Sequence, residues 1–324
     1  MIDLHLHLDG SLSINTVINL AKIQGISLPS EKPEELKTYL AAGEKTSSLN
    51  EYLRCFDLPL KLLQSETAVE YAVYELMREL DSQGIIYSEI RFAPQLHTEN
   101  GCTQQKIIKA AIKGVERGER DFNTRSNLIL CDMRGGSSEA NILTVNLASE
   151  FLGGGVCAVD LAGAEAVYST SMYRELFELA AKLSLPFTIH AGEAAGADSV
   201  RTAVDFGARR IGHGVAAVED DGLLKKIKDY GISIECCLSS NLQTRAVRNL
   251  KQHPIKRFLQ LGINATINTD NMTVSDTTIK RELDLFTEIM PEFPKERLLM
   301  NSVNSAFINE NEKRRLCSLI ALKP

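Results

Sequence analysis

Ile2-Asp3-Leu4-His5-Leu6-His7 opens the chain, and its reading decides the rest. It is a short apolar run punctuated by two imidazoles. In a strand, residues i and i+2 point to one face, so His5 and His7 project together. Imidazole is the usual zinc ligand. Three more motifs follow apolar or β-branched runs and so fall at strand ends: His190-Ala191-Gly192-Glu193, Gly212-His213-Gly214 and Asn268-Thr269-Asp270-Asn271. Four of the six histidines in 324 residues sit in these motifs, which concentrates the candidate metal chemistry in one place.

Working outward, candidate strands fall at 2–7, 85–92, 128–132, 156–161, 187–190, 209–213, 232–236 and 265–269. They are short and bounded by Gly, Pro, Asn or Asp, as buried parallel strands are. Amphipathic stretches at 66–83, 103–121, 138–150, 171–184, 197–206, 217–230 and 254–261 separate them; Leu176, Leu179, Ala180 and Leu183 show the helical spacing. Eight strands alternating with helices predict an α/β fold, an eight-stranded parallel (β/α)8 TIM-type barrel, with a doubly wound open sheet as the weaker alternative. Residues 1–324 read as a single domain.

One segment breaks the alternation. Residues 14–63 hold two or three helical stretches inserted after the first strand. Leu49, Tyr52, Leu53 and Phe56 share one helix face. Such a stripe either packs on the barrel or roofs the active-site mouth as an apolar lid.

Composition excludes several classes. Hydrophobic residues at 44% with 24% charged give ordinary globular material with a large core. A net charge of −6 without a basic block argues against nucleic-acid or anionic-membrane partners; Lys313-Arg314-Arg315 falls on a terminal helix as a solvated face. Gly153-Gly154-Gly155 lacks the lysine of a phosphate loop and reads as a turn. Seven cysteines without Cys-x-x-Cys indicate neither a disulfide framework nor a cysteine zinc knuckle. Met1 runs straight into the first motif, and no apolar run reaches the ~20 residues of a spanning helix. A cytoplasmic protein is expected.

Taken singly, each motif has a plainer reading. His190 and Glu193 read equally as a core histidine and a helix-capping glutamate, His213 as a turn residue, Asp270 as an N-cap. Together they are far more specific. Asp3–Leu12, Glu89–Pro94, Asp160–Gly163, His190–Glu193, Arg210–Gly214, Ser239–Asn241, His253–Ile255 and Asn268–Asp270 match, in order and rough spacing, the adenosine deaminase family of the amidohydrolase superfamily. The resemblance covers essentially the whole chain and implies the same barrel.

It further implies that His5, His7, His190 and Asp270 hold one Zn2+ per chain, with Asp270 also serving catalysis. Glu193 resembles the acid that protonates N1 of the purine as water adds at C6. His213 resembles the residue that positions the attacking water. Asp9 looks like the ribose 5′-hydroxyl contact, Gly163 like the backbone donor to N3, and His7 like a ligand that also borders the substrate. The chemistry is coherent. Zinc lowers the pKa of a bound water from about 15.7 to about 7, and C6 is a poor electrophile until N1 is protonated. An acid that holds its proton near neutrality needs a buried, low-dielectric pocket.

One position departs from the family pattern. A second aspartate commonly follows the metal aspartate and hydrogen-bonds N7; here it is Asn271. N7 only accepts, and an amide donates without first being protonated. The leading expectation is hydrolytic deamination of adenosine and 2′-deoxyadenosine to the inosine forms plus ammonia. A relative acting on adenine, an N6-modified purine or AMP is the second; Asp9 would repel a phosphate. A non-catalytic nucleoside-binding barrel is the third, and it leaves Glu193 and His213 without a purpose.

Overall fold

The computed structural model describes residues 1–321 apart from Glu44, Lys45, Ser47 and Ser48. Eight parallel strands form its centre: β1 (Ile2–His7), β2 (Tyr87–Phe92), β3 (Arg125–Met133), β4 (Val156–Ala162), β5 (Thr188–Ala191), β6 (Arg210–His213), β7 (Ser233–Cys236) and β8 (Ala265–Ile267). They pair in chain order as two four-stranded sheets, β1 to β4 and β5 to β8. Single bridges join the sheets at both seams, Val159 with Phe187 and Leu6 with Asp270. All eight strands were legible in the sequence, and their order is that of the TIM-type barrel.

The seam between β8 and β1 explains why β8 ends at Ile267 and not, as its sequence reads, at 269. The Asn268 side chain takes the Leu4 amide on Oδ1 (3.0 Å), and Asp3 accepts from the amide and hydroxyl of Thr269. Side chains replace ladder bonds there. Asp270 thus lies beyond the strand, with φ of 61°. Its amide donates to the His5 carbonyl and its carbonyl accepts from the His7 amide, at 2.8 and 2.7 Å. The left-handed backbone is uncommon for a residue with a side chain, though Asp tolerates it better than most. Here β1 holds it on both sides.

Among the described residues the excursion after β1 contains four helices rather than two or three: α1 (Ile14–Gln24), α2 (Pro33–Leu40), α3 (Leu49–Leu53) and α4 (Asp57–Leu62). Ser13 caps α1 through its hydroxyl, and Gly25 ends it in the left-handed region. A 3-10 turn interrupts the expected stripe before Phe56; the Leu49 side chain lies outside the described residues. Helices α5 (Glu66–Ser82), α6 (Gln104–Asp121), α7 (Ser138–Glu150), α8 (Arg174–Lys182), α9 (Ala197–Phe206) and α10 (Asp221–Asp229) then alternate with strands. Four others complete the layer: α11 (Leu238–Gln243), α12 (Ile255–Leu261), α13 (Ile279–Ile289) and α14 (Lys295–Ser305). The chain closes with α15 (Glu310–Ala321). The buried faces of α5 and α6 (Val69, Val73, Met77; Ile107, Ala111, Val115) belong to one apolar core with β2 to β8. Gly114 and Gly118 let these two helices approach: a Cβ on either would lie 2.7 Å from the α5 chain. No described helix is long and apolar enough to cross a membrane.

Candidate active site

At the carboxyl ends of the strands the four motifs converge. Ligand-type atoms of His5, His190, His213 and Asp270 lie within 4.8 Å of one another, all on buried residues. His7 borders this group rather than completing it: its Nε2 is 3.2 Å from His190 Nε2 and 3.4 Å from Asp270 Oδ1. Two of the rings have their free edge set from behind. His5 Nδ1 donates to Glu235 at 2.7 Å, and His190 Nδ1 donates to Asp160 at 2.9 Å. In a neutral ring that leaves the lone pair on Nε2. His5 Nε2 is buried without a hydrogen-bond partner and faces Asp270 Oδ1 at 3.3 Å. Two bare acceptors turned toward each other in a dry interior are what a cation between them would satisfy, so the residues fit a divalent metal.

Glu235 and Asp160 are themselves tied down by Arg91. Its guanidinium donates to Asp160 at 2.8 Å and to Glu235 at 3.0 Å, and none of the three is exposed. Arg210 extends the chain from Glu235 (2.5 Å) to Glu89 (2.6 Å). Burial works against both carboxylates. Even so, His190 and Arg91 hold Asp160, and Arg91 and Arg210 hold Glu235, well below the usual carboxylate range. Burial pushes His7 well below its ordinary value, which keeps it neutral and able to ligate.

Beside His213 stands Glu193. Its Oε1 accepts from Thr244 Oγ1 at 2.9 Å and lies 3.4 Å from Asn241 Nδ2; its Oε2 is 3.6 Å from His213 Nε2. The loop that carries it wraps a second, buried carboxylate. Glu165 accepts the backbone amides of Gly192, Glu193, Ala194 and Ala195 at 2.6–3.1 Å, and the Ser199 hydroxyl at the head of α9. His213 ends β6 with φ of 64°, and Gly212 before it leaves room. A Cβ there would stand 3.2 Å from both the His190 Cα and the His5 ring.

These groups edge a cavity of about 320 Å³, within the size range of small-ligand sites. Leu53, Phe56, Leu60 and Leu96 form an apolar wall; His7, Asp9, Gly163, His190, Glu193, His213, Asp270 and Asn271 border it too. Every expected site residue but His5, which backs the cluster, reaches this cavity. Asn271 Nδ2 contacts the Tyr52 hydroxyl at 3.0 Å, and Tyr52 contacts Ser275 at 2.7 Å, which ties α3 to the segment after β8. A Cβ at Gly10 would fall 1.8 Å from Asn271 Oδ1, so the amide occupies the space a side chain would need. Arg134 also borders the cavity, but its guanidinium is spent on the Tyr168 and His190 carbonyls and on Thr170. A larger cleft of about 880 Å³ opens at the opposite end of the strands and contains none of the cluster.

The sequence pattern named the ligand-type residues, Glu193 and His213, but gave no role to Glu235, Arg91, Arg210, Glu165, Asn241 or Thr244. Several lie inside the matched motifs, which was the one available signal. The adenosine deaminase family model matches residues 1–323. The chain belongs to the adenosine deaminase family. A relative from Haemophilus ducreyi described as adenosine deaminase is 46% identical, over 99% of this chain and 95% of its own. Among solved structures, an adenine deaminase from Arthrobacter aurescens superposes with a TM-score of 0.89 at 24% identity, covering 99% of this chain and 97% of that one. An amidohydrolase from Burkholderia ambifaria with bound Zn gives 0.86 at 19%, covering 99% and 89%. These two likenesses confirm the fold of the deaminase family, while the family itself rests on the sequence matches.

Proposed function

We propose that the chain hydrolyses adenosine and 2′-deoxyadenosine to inosine and 2′-deoxyinosine, releasing ammonia. The observation that carries the reading is the Glu193 carboxyl group, 3.6 Å from His213 Nε2, on a cavity with an apolar wall that His190 and Asp270 also line. His5, His7, His190 and Asp270 would hold one zinc ion, the metal that histidine-rich sites with a carboxylate favour. Zinc there supplies Lewis acidity and makes hydroxide available at neutral pH.

The protein groups divide the remaining work. Glu193 delivers a proton to N1, which makes C6 electrophilic, and Thr244 fixes its far oxygen. His213, the member of the cluster 3.6 Å from Glu193, orients the attacking water. Asp270 Oδ1 lies 3.3 Å from the bare His5 Nε2 and serves as the oxygen acceptor of the site. Asp9 takes the ribose 5′-hydroxyl, and the Gly163 amide takes N3. Asn271 borders the cavity beside Tyr52, and its amide is the donor to N7. The chain acts as one catalytic unit in the cytoplasm, with 14–63 as a lid whose Leu53, Phe56 and Leu60 keep water out.

A nucleoside fits better than AMP. Asp9 is acidic, and Arg134, the cationic side chain at the cavity among the described residues, is engaged elsewhere. The test is loss of absorbance with adenosine, adenine, AMP, N6-methyladenosine and 7-deazaadenosine in parallel. Adenosine should lead. The 7-deaza analogue should be about 5- to 150-fold poorer in kcat/KM, the equivalent of ~1–3 kcal/mol for one unpaired buried donor. Faster turnover of adenine or AMP would overturn the substrate assignment.

A further inference from the structure

Two residues with no part in the scheme above, Asn241 and His253, form a hydrogen-bonded line that ends on His213. Its direction is set by one atom. Pro254 has no N–H, so the first amide after His253 is that of Ile255, and it reaches back to His253 Nδ1 at 3.2 Å. A backbone amide can only donate. His253 Nδ1 must therefore accept, and a neutral ring then carries its proton on Nε2. Burial holds His253 down at about 3, so the ring is neutral at any working pH. His253 Nε2 lies 3.1 Å from Asn241 Oδ1. Asn241 is fully buried, and with Oδ1 committed it presents Nδ2 to His213 Nδ1 at 3.0 Å. The reversed amide would set NH2 against the His253 Nε2–H, a clash of donors that the Ile255 amide cannot relieve.

We propose that His253 and Asn241 are positioning residues that fix His213 as the Nε2–H tautomer, a donor at the cavity and not a lone-pair ligand. The contrast with its neighbours is chemical. His5 and His190 each have a carboxylate at Nδ1, which draws the proton there and leaves Nε2 bare. His213 has an amide N–H at Nδ1, which leaves the proton on Nε2, 3.6 Å from Glu193 Oε2. Opposite partners behind three similar rings sort them into two ligands and one donor. The inference uses the proposed site for its purpose, but the tautomer itself is independent of which substrate is turned over.

The experiment is 15N NMR of the metal-loaded protein labelled at histidine, with the His213 signals assigned by their loss in His213→Gln. The expected result is an unprotonated Nδ1 and a protonated Nε2. Asn241→Asp is nearly isosteric but offers only acceptors. It should move the proton to Nδ1 and lower kcat on the order of 100-fold, as loss of one oriented donor does, with far less effect on KM. His253→Gln can still donate to Asn241 and accept from Ile255, so the His213 pattern should persist; His253→Leu should blur it. A wild-type His213 protonated on Nδ1, or an Asn241→Asp spectrum like wild type, overturns the inference whatever the activity. The expected tautomer in a protein inert toward adenosine would sustain it and defeat the substrate assignment instead.

Discussion

Replacing Glu165 by glutamine changes one atom type, and the structure says what that atom does. Oε2 accepts three amides, those of Glu193, Ala194 and Ala195; Oε1 accepts the Gly192 amide and the Ser199 hydroxyl. The least harmful amide orientation places NH2 at the Oε1 side, where the Ser199 hydroxyl can turn to accept. The Gly192 amide then faces a donor. One buried N–H without a partner costs ~1–3 kcal/mol, and three bonds to a charged acceptor become neutral at a loss of about 1 kcal/mol each. Sharing of one oxygen by three donors reduces the total, and about 3 kcal/mol is the expected loss. That is a large share of a domain's ~5–15 kcal/mol. The loop carries Glu193, so its displacement should also lower kcat by about 100-fold, the scale of a 1 Å misplacement. Urea unfolding, metal content and steady-state kinetics on Glu165→Gln test this together. Unchanged unfolding with kcat within a few-fold of wild type, at full metal content, would refute the role given to this carboxylate.

Metal analysis should find about one zinc per chain, and His5→Ala or Asp270→Ala should lose metal and turnover together; full activity without metal would sink the site. Glu193→Gln should retain metal and bind nucleoside while kcat falls on the order of 10²–10⁴-fold, the contribution of a general acid; a few-fold loss would move the proton donor elsewhere. Burial pushes Glu282 up to about 7 from 4.5 despite bonds from Ser239, Thr277 and Leu238, so the folded state holds an extra proton, and stability falls as pH rises through that window. Glutamine mimics the protonated acid, so Glu282→Gln should match wild type near the lower end and exceed it above pH 7 by roughly 3 kcal/mol, which parallel pH–stability curves would disprove.

Strands and the metal-type residues were legible because both are local signals. A short apolar run ending in His or Asp states its own position in the barrel. Helix α11 was not read: six residues, Leu238 to Gln243, are too few to show a period, and its polar members are buried by the barrel and not by their own pattern. Helix α3 was read as longer than it is, since its stripe continues through a 3-10 turn that still brings Phe56 to the cavity. Arg91, Asp160 and Glu235 lie inside strands and pair across 69 and 144 residues of sequence. Their roles come from which strands are neighbours around the barrel, and no periodicity reports that. The role of Glu165 is hidden for a related reason: its partners are backbone amides, which have no letter in the sequence.

The buried charges also bear on the metal. Around the cluster, Glu89, Asp160, Glu235 and Asp270 are joined through His5, His190, Arg91 and Arg210 in one connected network. Four carboxylates stand against two guanidiniums, and a metal-binding histidine is neutral. The network so described carries two more negative charges than positive ones, in a region closed to water. Unpaired buried charge costs several kcal/mol per ion, and protonation does not readily remove it, because Arg91, with Arg210 at Glu235, holds Asp160 and Glu235 below the usual carboxylate range. A divalent cation held by these histidines and Asp270 would balance the excess charge. An ion held there for the chemistry would thus also be a structural part of the barrel's interior, and stripping it should loosen the protein as well as silence it.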